Sequence, residues 1–299
     1  MTRTKANMLL LLAGAVWGMG FVAQSTAMAD IGPILFVGLR FVLAFLVVLP
    51  FAILESRRAE SRLSWADGKG FFWIGLFLFF GMAVQQVGLL TTTVTNAGFL
   101  TGLYVILVPV LMVVVMRKFP HPIVWPGALI ALVGIWLLSG SKLSALNTGD
   151  ALIILCAVFW AGQVLLIGFY GTRSGRPLTL SAVQFAVCAL LGLVAAVFLE
   201  PINWSAIGAA APEIIYAGVF SSGIAFTVQA IGQRYTSAAQ AAIFLSSEAL
   251  FAALFGAVFL GERLAGMGYV GCLLIFVAML AVEIVPATRG RRFRNARTR

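Results

Sequence analysis

Apolar residues run through this chain in long unbroken stretches instead of alternating with polar ones. Ten such stretches, bounded by charge, Pro or Gly clusters, fall at about residues 6–28, 33–54, 70–91, 95–116, 122–140, 150–171, 178–199, 212–234, 236–260 and 265–285. A helix rises about 1.5 Å per residue, so about 20 apolar residues cross the roughly 30 Å hydrocarbon core of a bilayer. The stretches are too long and too continuous for the short alternating strands of a membrane barrel. The pattern predicts an all-α membrane protein with ten transmembrane helices.

Composition sharpens this. The 299 residues are 62% hydrophobic and 10% charged, with a mean hydropathy of +1.05. Soluble domains carry about 25% charged residues, so this chain must show apolar surface to lipid. The net charge of +10 would suggest nucleic acid, but its placement follows the membrane. With the N-terminus in the cytoplasm, 17 of the 20 Lys and Arg lie on that side; Lys142 and Arg263 lie opposite and Arg40 lies inside a span. The excess of cytoplasmic Lys and Arg predicts both termini inside, and the arginine-rich tail, residues 287–299, as an anchor to anionic lipid. The lipid bilayer is the partner implied, not nucleic acid. M-T-R-T-K and a later A-M-A imitate a secretory signal, but the apolar run between them is too long, and a retained first helix is expected.

The chain also matches itself. With a shift of 144, Pro33 meets Pro177, Phe41 meets Phe185, Gln85 meets Gln229, Gly88 meets Gly232 and Ala97 meets Ala241. At the first helix the shift is 143, and Trp17 falls on Trp160. Five helices per half is an odd number, so the second half enters the bilayer from the opposite face. Two inverted five-helix repeats are expected: residues 1–140, a periplasmic link 141–147, and residues 148–286. Inverted repeats give one chain two nearly equivalent shapes, open to either side, which is the requirement of alternating access.

Candidate residues follow from this frame. Gly14 and Gly18 in helix one, and Gly98 and Gly102 in helix four, form small-residue seams for close helix packing. Trp17 and Trp160 lie midway along their spans, not in the headgroup belt where membrane tryptophans gather. Trp160 and Gln163 share a helix face, as do Trp17 and Gln24. All eight glutamines fall within spans or at their ends, and a lone amide is costly in hydrocarbon. They must face the bundle interior, some as helix-to-helix glue. Gln85, Gln163 and Gln229 are expected beside a pathway. Arg40 and Glu248 are ionisable groups inside spans and candidates for coupling or gating. They could pair as a strut, Arg40 could snorkel outward, or Glu248 could carry a proton or meet a substrate ammonium.

Other motifs fail in context. Gly18-Met-Gly20-Phe-Val-Ala23 matches a dinucleotide fingerprint but lies inside a spanning helix without a preceding strand. Ser139 to Lys142 matches S-x-x-K without its companion motifs. Cys156, Cys188 and Cys272 read as small core residues, and His121 stands alone, so no metal or other cofactor is implied.

Trp-Gly in helix one, Leu39-Arg40-Phe41, T-N-A-G-F-L-T-G-L-Y at residues 95–104 and L-G-E-R-L at residues 260–264 together resemble the EamA type of the drug/metabolite transporter superfamily. Within it the chain is most similar to bacterial aromatic amino-acid exporters of the YddG type. The resemblance implies a central cavity between two four-helix sets, with helices five and ten peripheral, and export of small metabolites. It adds Asn96 and Tyr104, on the matched motif, to the cavity set of Trp17, Gln85, Trp160, Gln163 and Gln229. Where many relatives have Glu-Pro in helix nine this chain has Glu248-Ala249, and Met116-Arg117-Lys118 stands where the second half has Gly261-Glu262-Arg263. The expected function is a multi-pass secondary transporter of the bacterial inner membrane, exporting small neutral or zwitterionic metabolites such as aromatic amino acids. The alternative is a broad-specificity drug or nucleotide-type carrier. A membrane enzyme would need clustered His, Ser, Asp or Cys at depth, and a receptor would need longer soluble segments. The sequence leaves the oligomeric state open.

Overall fold

In a computed structural model of the chain, residues 1–138, 147–263 and 266–297 are described, with side chains as far as residue 285. Lys142, most of the 141–147 link and the side chains of the basic tail fall outside the described residues.

The described residues are helical, without strands. We label the long helices α1 (Arg3–Ala27), α2 (Pro33–Arg58), α3 (Trp65–Gly88), α4 (Val94–Val114), α5 (Val124–Leu138), α6 (Thr148–Ser174), α7 (Pro177–Leu199), α8 (Ala211–Gly232), α9 (Ala238–Leu260) and α10 (Gly266–Val285). Among the described residues nine of these are long and apolar enough to cross a membrane. The other, α5, is apolar and described over fifteen residues. Several helices overrun the apolar stretches that mark them: α2 continues to Arg58 and α3 begins at Trp65. The Ser64 hydroxyl accepts from the Asp67 amide and starts α3 before the apolar run does. Hydropathy marks the bilayer, whereas capping marks the helix end.

The contacts are those of two inverted repeats. Helix α2 packs along its counterpart α7, and α5 along its counterpart α10; α3 packs on α6 as α8 packs on α1. Two carboxylates set the direction of the central pair. Glu55, late in α2, accepts from the amides of Leu178 and Thr179 at 3.2 and 2.7 Å, at the start of α7. Glu200, at the end of α7, accepts from Ile34 and Leu35 at 2.8 Å each, at the start of α2. The end of each equivalent helix therefore caps the start of the other, and the two run antiparallel. An equivalent pair running antiparallel is what an inverted repeat requires. The caps also neutralise unpaired amides at helix N-termini, where a negative charge is favoured. Gly38 and Gly192 allow the crossing: a Cβ on Gly192 would stand 2.8 Å from the Gly38 Cα.

Each half also breaks one helix at the same place. In α4, regular helix stops at Thr101 and resumes at Tyr104. In α9 it stops at Leu245 and resumes at Ser247, around Ser246, the repeat counterpart of Gly102. Pro109 does not mark the break; it lies inside the resumed helix. Among the described residues, helix α8 alone carries a wide-turn stretch, Tyr216–Ile224, with i to i+5 bonding. Such widened turns are rare and gather at functional sites.

Candidate functional site

The two halves meet around a small hollow of about 20 Å³, room for about one water molecule, between α1, α2, α3, α4, α6, α8 and α9. Every one of its fourteen lining residues is buried, so the hollow is closed off from both ends of the bundle.

Its wall is built largely from repeat-related pairs, 143 or 144 residues apart: Trp17 with Trp160, Phe21 with Val164, Met82 with Phe226, Gln85 with Gln229, and Tyr104 with Glu248. The broken helices explain the last pair. Tyr104 and Glu248 each come two residues after the break in their helix, which turns them inward. Phe226 occupies the middle. Its ring centroid is 4.6 Å from that of Trp17 and 5.5 Å from that of Trp160, nearly parallel to the latter at 13°. Phe41 and Phe185, another related pair, meet across the axis at 5.7 Å.

Asymmetry enters at four remaining wall positions: Gln24, Arg40, Ser221 and Leu245. Arg40 is 1% exposed. Its Nε donates to Ser222 Oγ at 2.9 Å and its Nη2 to Ser221 Oγ at 3.1 Å, while Nη1 has no partner. Its guanidinium also lies 5.6 and 5.4 Å from the ring centres of Phe36 and Phe41. The wide turn of α8 supplies both serines, and the Ser221 carbonyl accepts from Trp17 Nε1 at 2.9 Å.

The strut and snorkelling readings of Arg40 are therefore corrected. Among the described residues the ion pairs join Arg3 to Glu283 and Arg173 to Asp67, not Arg40 to Glu248. Arg40 turns into the bundle because two hydroxyls and two aromatic faces receive it there. Glu248 is buried beside Tyr104. Its Oε1 and the Tyr104 hydroxyl both lack a hydrogen bond of normal geometry.

Of the other residues singled out in the sequence, Trp17, Gln85, Tyr104, Trp160 and Gln229 are on the wall. Gln85 Nε2 donates to Thr101 Oγ1 at 3.0 Å. Gln163 is fully buried just behind the wall, donating to Gln184 and accepting from Gln229, each at 3.2 Å. Asn96 does not reach the hollow. It lies in the first turn of α4, where its amide donates to the capping Thr93 hydroxyl at 3.1 Å. The motif it belongs to starts a helix, and the wall begins a turn further on. All eight glutamines are buried. Gly14 and Gly18 lie against α9, near Ser247 and Phe251, and Gly98 against Ala249 and Ala252 of the same helix. Gly102 faces Ile135 of α5. The wall residues Phe21, Met82, Val164 and Phe226 were missed as single apolar letters, although the offsets that paired the tryptophans and the glutamines pair them too.

Inverted halves around an enclosed, part-polar hollow are the build of a membrane transporter. Comparison with known proteins agrees. The model of the EamA-like transporter family matches this chain twice, at residues 4–140 and 147–283, and the chain belongs to that family. An uncharacterized transporter of Archaeoglobus fulgidus is 33% identical over 285 residues, covering 94% of this chain and 87% of the archaeal protein. The uncharacterized transporter YwfM of Bacillus subtilis is 25% identical over 291 residues, 94% of either chain. A solved crystal structure superposes with a TM-score of 0.76 over 94% of this chain and 97% of its own, at 19% identity, a likeness of fold alone.

Proposed function

We propose that this transporter exports small zwitterionic metabolites, amino acids with bulky apolar side chains, by alternating access through the central hollow. It works in a bacterial inner membrane with both termini in the cytoplasm, as the one-sided distribution of Lys and Arg favours. One observation carries the reading: the closed hollow is an aromatic box in which several polar atoms stand unpartnered. Gln229 Oε1, Gln24 Oε1 and Arg40 Nη1 are buried without a hydrogen bond, while Tyr104 leans on Glu248 and Trp160 on Cys156. Buried polar groups are nearly always paired. Three unpaired ones around a single space suit a ligand of mixed polarity, with Phe226 and the two indoles receiving its apolar part.

The reading requires this small, closed hollow to widen when either face opens. At one end of the bundle, Glu262 at the close of α9 accepts from the amides of Val94 and Thr95, both at 3.1 Å, and ties α9 to the start of α4. At the other end Lys118 stands at the equivalent position, and Glu283 instead ties the starts of α1 and α9, accepting from Asn7 at 2.5 Å and Gln240 at 3.3 Å. Different contacts at the two ends are what gates of unequal strength require.

Counterflow of labelled amino acids into liposomes holding the purified protein tests the reading. Flux of bulky apolar amino acids is expected. Flux of cationic dyes or nucleosides with none of any amino acid would favour the broad-specificity alternative, which the largely apolar wall also accommodates.

A further inference from the structure

The hollow holds one buried guanidinium and one buried carboxyl group that do not pair with each other, and both sit where the two-fold relation of the repeats fails. Arg40 answers to Gln184, and Glu248 answers to Tyr104. An unpaired ion in a low-dielectric interior is strongly unfavourable. Serine hydroxyls and aromatic faces soften the cost for Arg40 but bring it no negative charge. No cation among the described residues lies within 4 Å of Glu248. We infer that Arg40 and Glu248 are the two poles of the substrate site, receiving the carboxylate and the ammonium of one α-amino acid.

Their placement supports this ligand. Both line the same hollow, where Arg40 Nη1 and Glu248 Oε1 are each left without a hydrogen bond. Trp17 and Phe226, packed together at 4.6 Å, line it with them and offer apolar faces to a side chain once the hollow widens. An inverted repeat left symmetric would bind a symmetric ligand; two charge substitutions give this one a direction.

The inference rests on the amino-acid reading above, and its test separates the two. Thermal stabilisation of detergent-purified protein is measured with L-phenylalanine, with L-phenylalaninamide, which lacks the carboxylate, and with N-acetyl-L-phenylalanine, which lacks the ammonium. Wild-type protein is expected to prefer phenylalanine at least tenfold over both, the discrimination of one lost charge-assisted bond. Arg40→Gln should lose phenylalanine affinity at least tenfold and leave that for the amide within about twofold. Glu248→Gln should do the same with the N-acetyl compound retained. Arg40→Lys, keeping the charge, should recover part of the loss. If either glutamine variant does not fold, the wild-type preferences decide alone. Equal stabilisation of the wild type by all three compounds overturns the pole assignment but leaves an amino-acid carrier standing, as does a uniform loss for all three in both variants. No stabilisation by phenylalanine, tryptophan or leucine removes the inference together with the reading beneath it.

Discussion

Replacing Gly18 with alanine should disable this protein through a single methyl group. A Cβ at position 18 would lie 2.3 Å from Phe251 Cβ, 2.6 Å from the Phe251 carbonyl carbon and 2.7 Å from the Ala252 nitrogen. Ordinary carbon contacts are about 3.5–4.0 Å. Two of the three obstacles are backbone and cannot rotate aside, so α9 must retreat from α1 by roughly 1 Å or more. Overpacking of this kind costs about 1–3 kcal/mol. The damage should reach the hollow, because Trp17 precedes Gly18 and holds both the Ser221 carbonyl and Phe226. Gly68 is the control: it lies in α3 with no atom within 4 Å of an added Cβ. Gly68→Ala should be neutral or stabilising by up to about 1 kcal/mol. Thermal midpoints of the detergent-purified variants, with counterflow of a transported substrate in liposomes, provide the readout. The reasoning is refuted if Gly18→Ala matches wild type in both, or if Gly68→Ala falls as far.

Other substitutions probe the repeat more locally. Arg117, the counterpart of Gly261, closes α4 with φ 52°, where Gly261 closes α9 with φ 69°. Arg117→Gly should therefore raise stability by about 1 kcal/mol, seen as a higher thermal midpoint. Glu262→Gln leaves one acceptor oxygen for the start of α4 and should cost about 1 kcal/mol by the same measurement. Gln163→Leu strands Gln184 and Gln229, both already short of partners. It should lower the midpoint by the equivalent of about 1–3 kcal/mol and reduce flux, whereas Gln163→Glu, which keeps an acceptor for Gln229, should retain more of both.

Much of the site was legible because duplication leaves a measurable trace. Trp17 and Trp160, or Gln85 and Gln229, each look incidental alone, but at a common offset they mark both halves of one wall. Asn96 misled because a motif of likeness does not say which of its residues turns inward. Ser221 could not be read at all: a serine in an apolar run is unremarkable until the wide turn of α8 aims it at Arg40. The caps of Glu55 and Glu200 were equally silent, since each acts on the other half of the chain, 123 and 165 residues away at nearest.

Hydropathy, charge placement and internal repetition determined the class of molecule: how many rods, in what medium, and with the second half inverted. These are properties of composition and parity, set by what water and hydrocarbon each exclude, and a linear reading suffices for them. Which side chains share the central space was decided only by the tertiary structure. A one-residue widening in α8 or a break at Ser246 rotates everything beyond it, and packing across the axis, not local preference, chooses where such a rotation falls. The charges show the same division. Arg40 and Glu248 announce themselves in the sequence as costly, but only the packed bundle shows them near a common hollow, unpaired.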